Sequence, residues 1–277
     1  MQMRNDPRDF LKTPEADWFK GKITRHDHFD DLIDINNALN NVPENLKIED
    51  RHRYTESCFG HFLQMHRQIN FSAGIVHRLL LRELHHNGRE DEMRFLLGQH
   101  IVRFSKVDFC LITGLKFGVD PDTMSDDIVQ NGVQDRYFHG KEVEMEELRA
   151  LLRAGVFHEQ YDAVKLCLLF MLNWILMGFD ERDKVPAWQF RLVEDLDAFD
   201  AFPWGTHVYR QSIFGYKRAL VGPRKRLAER RKEEGGEELN VQEIEFSYNV
   251  YSLPHALLVR ILNLKSYCNS SFFLNYD

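Results

Sequence analysis

Apolar side chains recur every three or four residues along most of the chain, which is the period of an amphipathic helix. Such faces predict helices around residues 32–42, 59–66, 72–84, 109–112, 145–155, 188–199, 209–220 and 254–264. A helix that carries apolar residues on one side buries that side against other elements. The pattern therefore predicts a mainly α-helical fold.

Residues 166–179 form the most apolar run and contain only Asn173 and Gly178 as exceptions. A helix that crosses a membrane needs roughly 20 apolar residues, and this run is shorter. Charged residues also bound it on both sides. We predict a fully buried helix at the centre of the core, and no membrane contact.

Two segments follow the rules of β-strands. The stretch MRFLLGQHIVRF is two short apolar runs around Gly98, which suits the positive φ that a type II′ hairpin turn requires. Ile244, Phe246, Tyr248 and Val250 alternate with polar residues, as in a half-buried strand. The predicted fold class is a single multi-helix domain with a small β-hairpin and β element.

The chain divides by composition into a polar lead-in (residues 1–25), one mostly helical domain (26–265) and a tail (266–277). Within the domain, residues 206–240 are charged and basic, and we expect them to be partly exposed. Gly222-Pro223 is expected to break or sharply kink the helix that precedes it.

Composition indicates a globular, intracellular protein. Hydrophobic residues make up 43% of the 277 residues, and 21 phenylalanines supply a large core. Cys58, Cys110, Cys167 and Cys268 form no CxxC pair, so neither a zinc site nor a disulfide framework is indicated. The N-terminal segment has no apolar stretch typical of a signal peptide.

The sequence predicts no catalytic, metal-binding or cofactor-binding residue, and no cofactor. It contains none of the glycine patterns that hold phosphates and no GxSxG nucleophile turn. His26 and His28 lie near each other, but no HExxH or carboxylate–histidine spacing accompanies them. The acidic cluster at residues 120–127 breaks the EF-hand pattern. A second cluster, at residues 193–200, is expected on the solvated side of a helix.

The strongest functional signal is a concentration of positive charge. Nine Lys or Arg and three Glu lie between Thr206 and Glu234, which gives +6 locally and leaves −13 for the rest of a chain whose net charge is −7. The clustered basic residues are Lys217, Arg218, Arg224, Lys225, Arg226, Arg230, Arg231 and Lys232. Such clusters are bound by nuclear import receptors or contact phosphates, and a third interpretation is a solvated helix that pairs with its own acidic neighbours. We predict a nuclear protein, or otherwise a cytoplasmic one, with an unknown protein partner and weak nucleic-acid contact.

Two segments carry a family resemblance. RFSKVDFCLITGL (residues 103–115) and LVEDLDAFDAFPWG (192–205) resemble the hallmark segments of the plant domain of unknown function nineteen eighty-five, and the resemblance extends over roughly residues 45–260. The hallmark residues are Arg103, Phe104, Ser105, Phe109, Gly114, Asp195, Leu196, Phe199, Pro203, Trp204 and Gly205. Their residue types suit structural corners, since they include large rings, a cap and helix ends, but no nucleophile or general base.

The resemblance implies a plant protein derived from a Mutator-like transposable element. In longer relatives this domain precedes a cysteine peptidase domain of the SUMO-protease type, which has an Asp-Cys-Gly nucleophile segment. The printed sequence contains no Asp-Cys-Gly. We therefore expect a non-catalytic domain that works by protein or nucleic-acid contact. The alternative is an accessory or truncated fragment of a SUMO-protease-like polypeptide that lacks its peptidase domain.

Overall fold

A computed structural model describes residues 6–25, 28–65, 71–85, 91–119, 130–234 and 239–265. The helices are α1 (Leu32–Asn41), α2 (Glu44–Glu56), α3 (Phe62–Met65), α4 (Ala73–Leu81), α5 (Lys106–Thr113), α6 (Val133–Phe138), α7 (Met145–Ala154), α8 (Asp162–Phe170), α9 (Ala187–Val193), α10 (Leu196–Ala201), α11 (Trp204–Ala219), α12 (Val221–Glu233) and α13 (Pro254–Lys265). The strands are β1 (Lys20–Arg25), β2 (Met93–Leu97), β3 (His100–Phe104) and β4 (Glu245–Asn249). The predicted fold class, mainly α-helical with a small β element, is confirmed.

The chain folds as two compact units, each assembled from separate segments. Unit 1 comprises Met1–His26, Phe71–Gly114 and Tyr209–Asp277, and unit 2 comprises Asp27–Asn70 and Leu115–Val208. Helix α11 contributes its first residues to unit 2 and the others to unit 1. The division into a lead-in, one domain and a tail stays a prediction.

Residues 166–176 of the predicted apolar run form the buried centre of unit 2, whereas Met177, Gly178 and Phe179 are half-buried and follow the helix. Helix α8 continues into a π-helical turn, Met171–Leu176, and every side chain from Leu166 to Leu176 is at most 2% exposed. Helices α1, α2, α7 and α9 pack around α8. Among the described residues, no helix is long and apolar enough to cross a membrane.

The π-helical turn is tied to α9 by a buried pair of amides. The Asn173 Nδ2 atom donates to the Leu169 carbonyl at 3.0 Å and to the Gln189 Oε1 atom at 2.6 Å. Both side chains are at most 3% exposed. Buried polar groups are stable only when they are hydrogen-bonded, so this pair fixes the position of α9 on the turn.

Unit 1 contains two small sheets. Strands β2 and β3 form the predicted antiparallel hairpin around Gly98, whose φ is 61°. Gln99 does not have a positive φ, which agrees with a type II′ turn. Strand β4, also predicted, pairs in parallel with β1. Strand β1 was not predicted, and it lies within the polar lead-in.

A buried histidine joins β1, β4 and α4. The His77 Nε2 atom lies 2.9 Å from the Phe19 carbonyl, and its Nδ1 atom lies 2.7 Å from the Tyr248 hydroxyl. Strand β1 crosses the imidazole so closely that a Cβ at Gly21 would lie 2.2 Å from the ring. Glycine is therefore required at this point of the strand.

The first hallmark segment, residues 103–115, forms the corner between β3 and α5. Ser105 and Asp108 form a capping box, and Gly114 ends α5 with a φ of 68°. Phe104 and Phe109 are fully buried, with ring centroids 6.3 Å apart in an edge-to-face arrangement. The predicted hairpin-to-helix corner is confirmed.

The second hallmark segment, residues 192–205, packs the start of α11 into unit 2. Trp204 is 1% exposed, and its Nε1 atom donates to the Phe199 carbonyl at 2.8 Å. A Cβ at Gly205 would lie 2.6 Å from the Lys116 carbonyl oxygen, so this turn also requires glycine. The segment therefore acts as a packing corner.

The acidic cluster at residues 193–200 differs from the single solvated helix face that was expected. Two helices, α9 and α10, occupy this region, and the Asp195 side chain caps α10 by accepting from two backbone N–H groups at 3.0 Å. Asp200 receives a hydrogen bond from Arg53 at 2.7 Å and one from the Cys58 N–H at 2.8 Å. These carboxylates therefore have structural roles.

A helix break was expected at Gly222-Pro223, but the structure has it a few residues earlier. Helix α11 ends at Ala219, and Pro223 falls in the first turn of α12. In a first turn the missing N–H of proline leaves no hydrogen bond unmade. The charged stretch after Pro223 is consequently a helix.

Candidate interaction surface

Helix α12 carries most of the clustered basic residues and rests on unit 1 along a narrow apolar strip. Pro223 and Leu227, one turn apart, are its buried residues, and it packs against β4. Residues three and four apart share one face of a helix, so two apolar positions suffice to orient it. The other faces of α12 remain available to charged side chains.

Two arginines on one flank of α12 attach the helix to the N-terminal part of unit 1. The Arg224 Nε atom donates to the Thr13 hydroxyl at 2.8 Å, and Arg231 forms an ion pair with Asp17 at 2.5 Å. Burial lowers the pKa of the Arg224 guanidinium. Arg224 and Arg231 therefore hold the helix in place, which the sequence pattern alone did not indicate.

Two arginines on the opposite flank cover an aromatic ring. The guanidinium carbons of Arg226 and Arg230 lie 5.0 and 5.4 Å from the centroid of the buried Phe246 ring. Arg226 also donates to the Ser247 carbonyl at 2.9 Å. Both residues stay exposed, so their guanidinium groups cover the ring and remain in contact with solvent.

Lys225 and Lys232 lie on the outer face of α12 and are exposed. Lys225 is 3.8 Å from Glu229 at an i,i+4 spacing, which is a loose pairing on a surface. Lys232 has no ion pair with any residue that the structure describes. The interpretation of a solvated helix that pairs with its own acidic neighbours describes Lys225, whereas Arg231 pairs with Asp17 of a distant segment.

Lys217 and Arg218 lie on α11, where the structure adds an aromatic residue that sequence reasoning missed. The Arg218 guanidinium lies 4.9 Å from the centroid of the Phe214 ring, and Phe214 is 54% exposed. Its signal in the sequence was its position between Arg210 and Arg218 at four-residue spacing. That position is opposite the buried face marked by Ile213.

Within the described residues, the other chemical candidates show no reactive arrangement. Burial raises the pKa of the Cys167 thiol and, with help from the neighbouring Asp200 carboxylate, that of Cys58. Both thiols therefore favour the protonated form, which is a poor nucleophile. In the described ranges, no three His, Cys, Asp or Glu side chains are placed to hold a metal ion. The predictions for His26, residues 120–127 and Cys268 lie outside the described residues.

A comparison with models of known protein families gives a match. A family model described as "Domain of unknown function (DUF1985)" matches residues 80–213. No curated protein and no solved structure matches the chain. The matched range includes both hallmark segments, residues 103–115 and 192–205. Residues 80–213 of this chain are therefore a DUF1985 domain.

Proposed function

We propose that this chain is a non-catalytic interaction domain and that α12 is its main contact surface. The observation that carries the proposal is the arrangement of exposed cations (Lys225, Arg226, Arg230, Arg231 and Lys232) on one 13-residue helix. Because Pro223 and Leu227 anchor the helix, its charges have a defined position on unit 1. A preorganised surface loses less conformational freedom when it binds a partner.

The proposed role of this surface is nuclear import. Basic clusters of this kind are recognised by import receptors, and the rest of the chain is acidic. The same acidic remainder repels phosphate, so we expect only weak binding to duplex DNA at physiological salt. An unidentified protein is therefore the main proposed partner, and the nucleus is the proposed location.

The resemblance to plant proteins derived from Mutator-like transposable elements is consistent with the same proposal. The high thiol pKa values of Cys58 and Cys167 support a non-catalytic role. The alternative is that the chain is an accessory part of a SUMO-protease-like polypeptide. A downstream reading frame with an Asp-Cys-Gly segment in the same gene would favour that alternative.

The import proposal is tested with a fluorescent fusion of the full chain. We expect nuclear accumulation, and we expect Arg218→Gln, Lys225→Gln and Lys232→Gln together to reduce it severalfold. None of these three side chains makes a contact that attaches α12 to unit 1, so the melting temperature should stay unchanged. The matched control replaces three exposed cations elsewhere, Lys106, Lys141 and Arg182, with Gln.

Replacement of all six basic residues from Arg224 to Lys232 is a less informative test. It removes the Arg224–Thr13 and Arg231–Asp17 contacts as well as the charge. We expect this variant to lose import and to melt at a lower temperature. A fusion that is excluded from nuclei, or that enters them equally well with the triple substitution, would contradict the proposal.

A further inference from the structure

One exposed stripe of alternating cations and apolar residues runs along α11 and the start of α12. Arg210, Phe214, Arg218, Val221 and Lys225 are all exposed and follow one another at spacings of three or four residues. We call this set the Phe214 stripe. Arg210, Phe214 and Arg218 share one side of α11, and Val221 and Lys225 share one side of α12, which begins after the break at Leu220. The stripe shares only Arg218 and Lys225 with the clustered basic residues described above.

The apolar members of the stripe are unusual for a helix surface. Phe214 is 54% and Val221 is 55% exposed, although α11 buries its opposite face well, with Tyr209, Ile213 and Tyr216 at most 5% exposed. Phe214 is therefore not needed for the core of unit 1. An exposed ring among cations is a feature of binding surfaces, because it can bury area only when a partner arrives.

The electrostatics of the stripe select an anionic partner. Its polar members are all cations, and the Arg218 guanidinium already stacks on the Phe214 ring at 4.9 Å. The Glu229 carboxylate lies 3.8 Å from Lys225, an exposed i,i+4 pairing that contributes little. The local charge of +6 contrasts with −13 for the rest of the chain, so an anion is attracted to this side of unit 1.

From this arrangement we infer that the Phe214 stripe binds single-stranded nucleic acid. A single strand offers both of the groups that the stripe can satisfy, namely phosphates for the cations and flat bases for the Phe214 ring and the planar guanidinium. In a duplex the base faces are already stacked, so Phe214 would contribute nothing. An acidic peptide offers the charge without the flat faces. The inference deepens the nucleic-acid part of the proposed function.

The test measures binding of the full chain to a fluorescein-labelled oligo(dT) by anisotropy at several salt concentrations. We expect Phe214→Ala to weaken binding by about 5- to 150-fold, the range for loss of one aromatic–base stack, and Phe214→Tyr to keep most of the affinity. Arg218→Gln should weaken binding and make the log–log salt slope shallower by about 0.7. Leu111→Ala and Lys106→Gln, which alter exposed residues of unit 1 outside the stripe, are the matched controls.

Several outcomes would overturn the inference. These are equal affinity of the Phe214→Ala variant, equal affinity for a duplex of the same length, or equally tight binding of polyglutamate with the same dependence on Phe214. The last result would assign the stripe to an acidic protein. An unchanged melting temperature shows that the variants are folded. Because binding is measured in vitro, this inference can fail while nuclear accumulation is still observed, and the reverse also holds.

Discussion

The His77 side chain connects three elements of unit 1 as a neutral imidazole that carries its proton on Nε2. The Phe19 carbonyl can only accept, so Nε2 carries the proton and donates to it. In the neutral ring Nδ1 then accepts from the Tyr248 hydroxyl, 2.7 Å away. Burial, followed by the nearby charges of Arg78 and Arg82, lowers the pKa of His77, although its bond to Phe19 opposes the shift. The neutral form therefore predominates in the folded protein.

This pKa shift makes the stability of unit 1 depend on pH. The unfolded chain has the ordinary histidine pKa of 6.5 and so binds a proton more readily than the folded protein does. The contribution of His77 is fully present above pH 6.5 and is lost as the pH falls from there towards the lowered folded pKa. We expect the unfolding free energy, measured with urea, to decrease across this window by about 1.4 kcal/mol for each unit of pKa shift.

The prediction is tested by comparing the pH dependence of the original protein with that of His77→Gln, whose side chain cannot titrate. This variant should be less stable than the original at pH 8, because the two hydrogen bonds are disturbed, but its stability should decrease less between pH 7 and pH 5. His52→Gln, which removes an exposed histidine of α2, is the control. If His77→Gln and the original protein have parallel pH profiles, the neutral state assigned to His77 is wrong.

Local features of the fold could be predicted from the sequence, whereas contacts such as those of His77 could not. Ser105, Asp108 and Gly114 were predicted correctly because a helix cap depends on residues a few positions apart. Gly21 and His77 gave no local signal, since the requirement for glycine arises from a ring that comes from another element. Packing against residues distant in the sequence is the information that the pattern lacks.

At the scale of elements, the π-helical turn Met171–Leu176 is connected to its neighbours by the side chain of Asn173. Asn173 donates to both Leu169 and Gln189, so it joins the turn to α9 as well as to α8. π-Helical turns are rare and often have a specific role. In this protein the role is structural, because Asn173 and Gln189 are both buried.

We expect Asn173→Ala to lower the unfolding free energy by about 1–3 kcal/mol, because the Gln189 Oε1 atom would stay buried without its donor. A double-mutant cycle with Gln189→Ala, measured by urea denaturation, should give a coupling energy of at least about 0.5 kcal/mol. Asn36→Ala is the matched control, since among the described residues the half-buried Asn36 side chain donates to Leu32 alone, at 3.3 Å. Additive effects of the two substitutions would show that the amide pair does not hold α9.

Helix α2 and strand β1 were not predicted, because neither has an apolar pattern of its own. Helix α2 is charged almost throughout and buries mainly Asp50 and Tyr54, so it shows no apolar period. Strand β1 has the sequence KGKITR, and its strand conformation depends on β4, which lies more than two hundred residues later. The apolar elements α8 and α13, by contrast, were predicted from their own residues.

For the interaction surface, the sequence predicted which residues carry the positive charge. The structure shows which of them attach α12 and which face solvent. Counting charges could not distinguish Arg224, which attaches α12 to Thr13, from Lys232, which faces solvent. It also could not show that Phe214 is exposed, because an aromatic residue in an amphipathic helix is usually counted with the core. The proposed function of this surface therefore depends on the cations that stay exposed to solvent once α12 has packed on unit 1.

At the scale of the whole molecule, the DUF1985 match and the two units do not coincide. Residues 80–213 include parts of unit 1 and much of unit 2, whereas α12 and β4 follow the matched range. The basic surface of α12 is thus an addition to the matched domain along the chain. We therefore expect the DUF1985 region to supply the core of unit 2, whereas the clustered basic residues, from Lys217 to Lys232, follow it along the chain.

The parallel pairing of β1 with β4 has a consequence for the order of folding. Thr24 and Tyr248 are hydrogen-bonded across 224 positions, so unit 1 cannot close until nearly the whole described chain has been synthesised. The segments of unit 2 end at Val208 and are complete earlier. Forming a contact between distant residues costs loop entropy and slows folding. In pulse-labelling hydrogen exchange during refolding, the amides of α8 should gain protection before those of β1, and the opposite order would contradict this view.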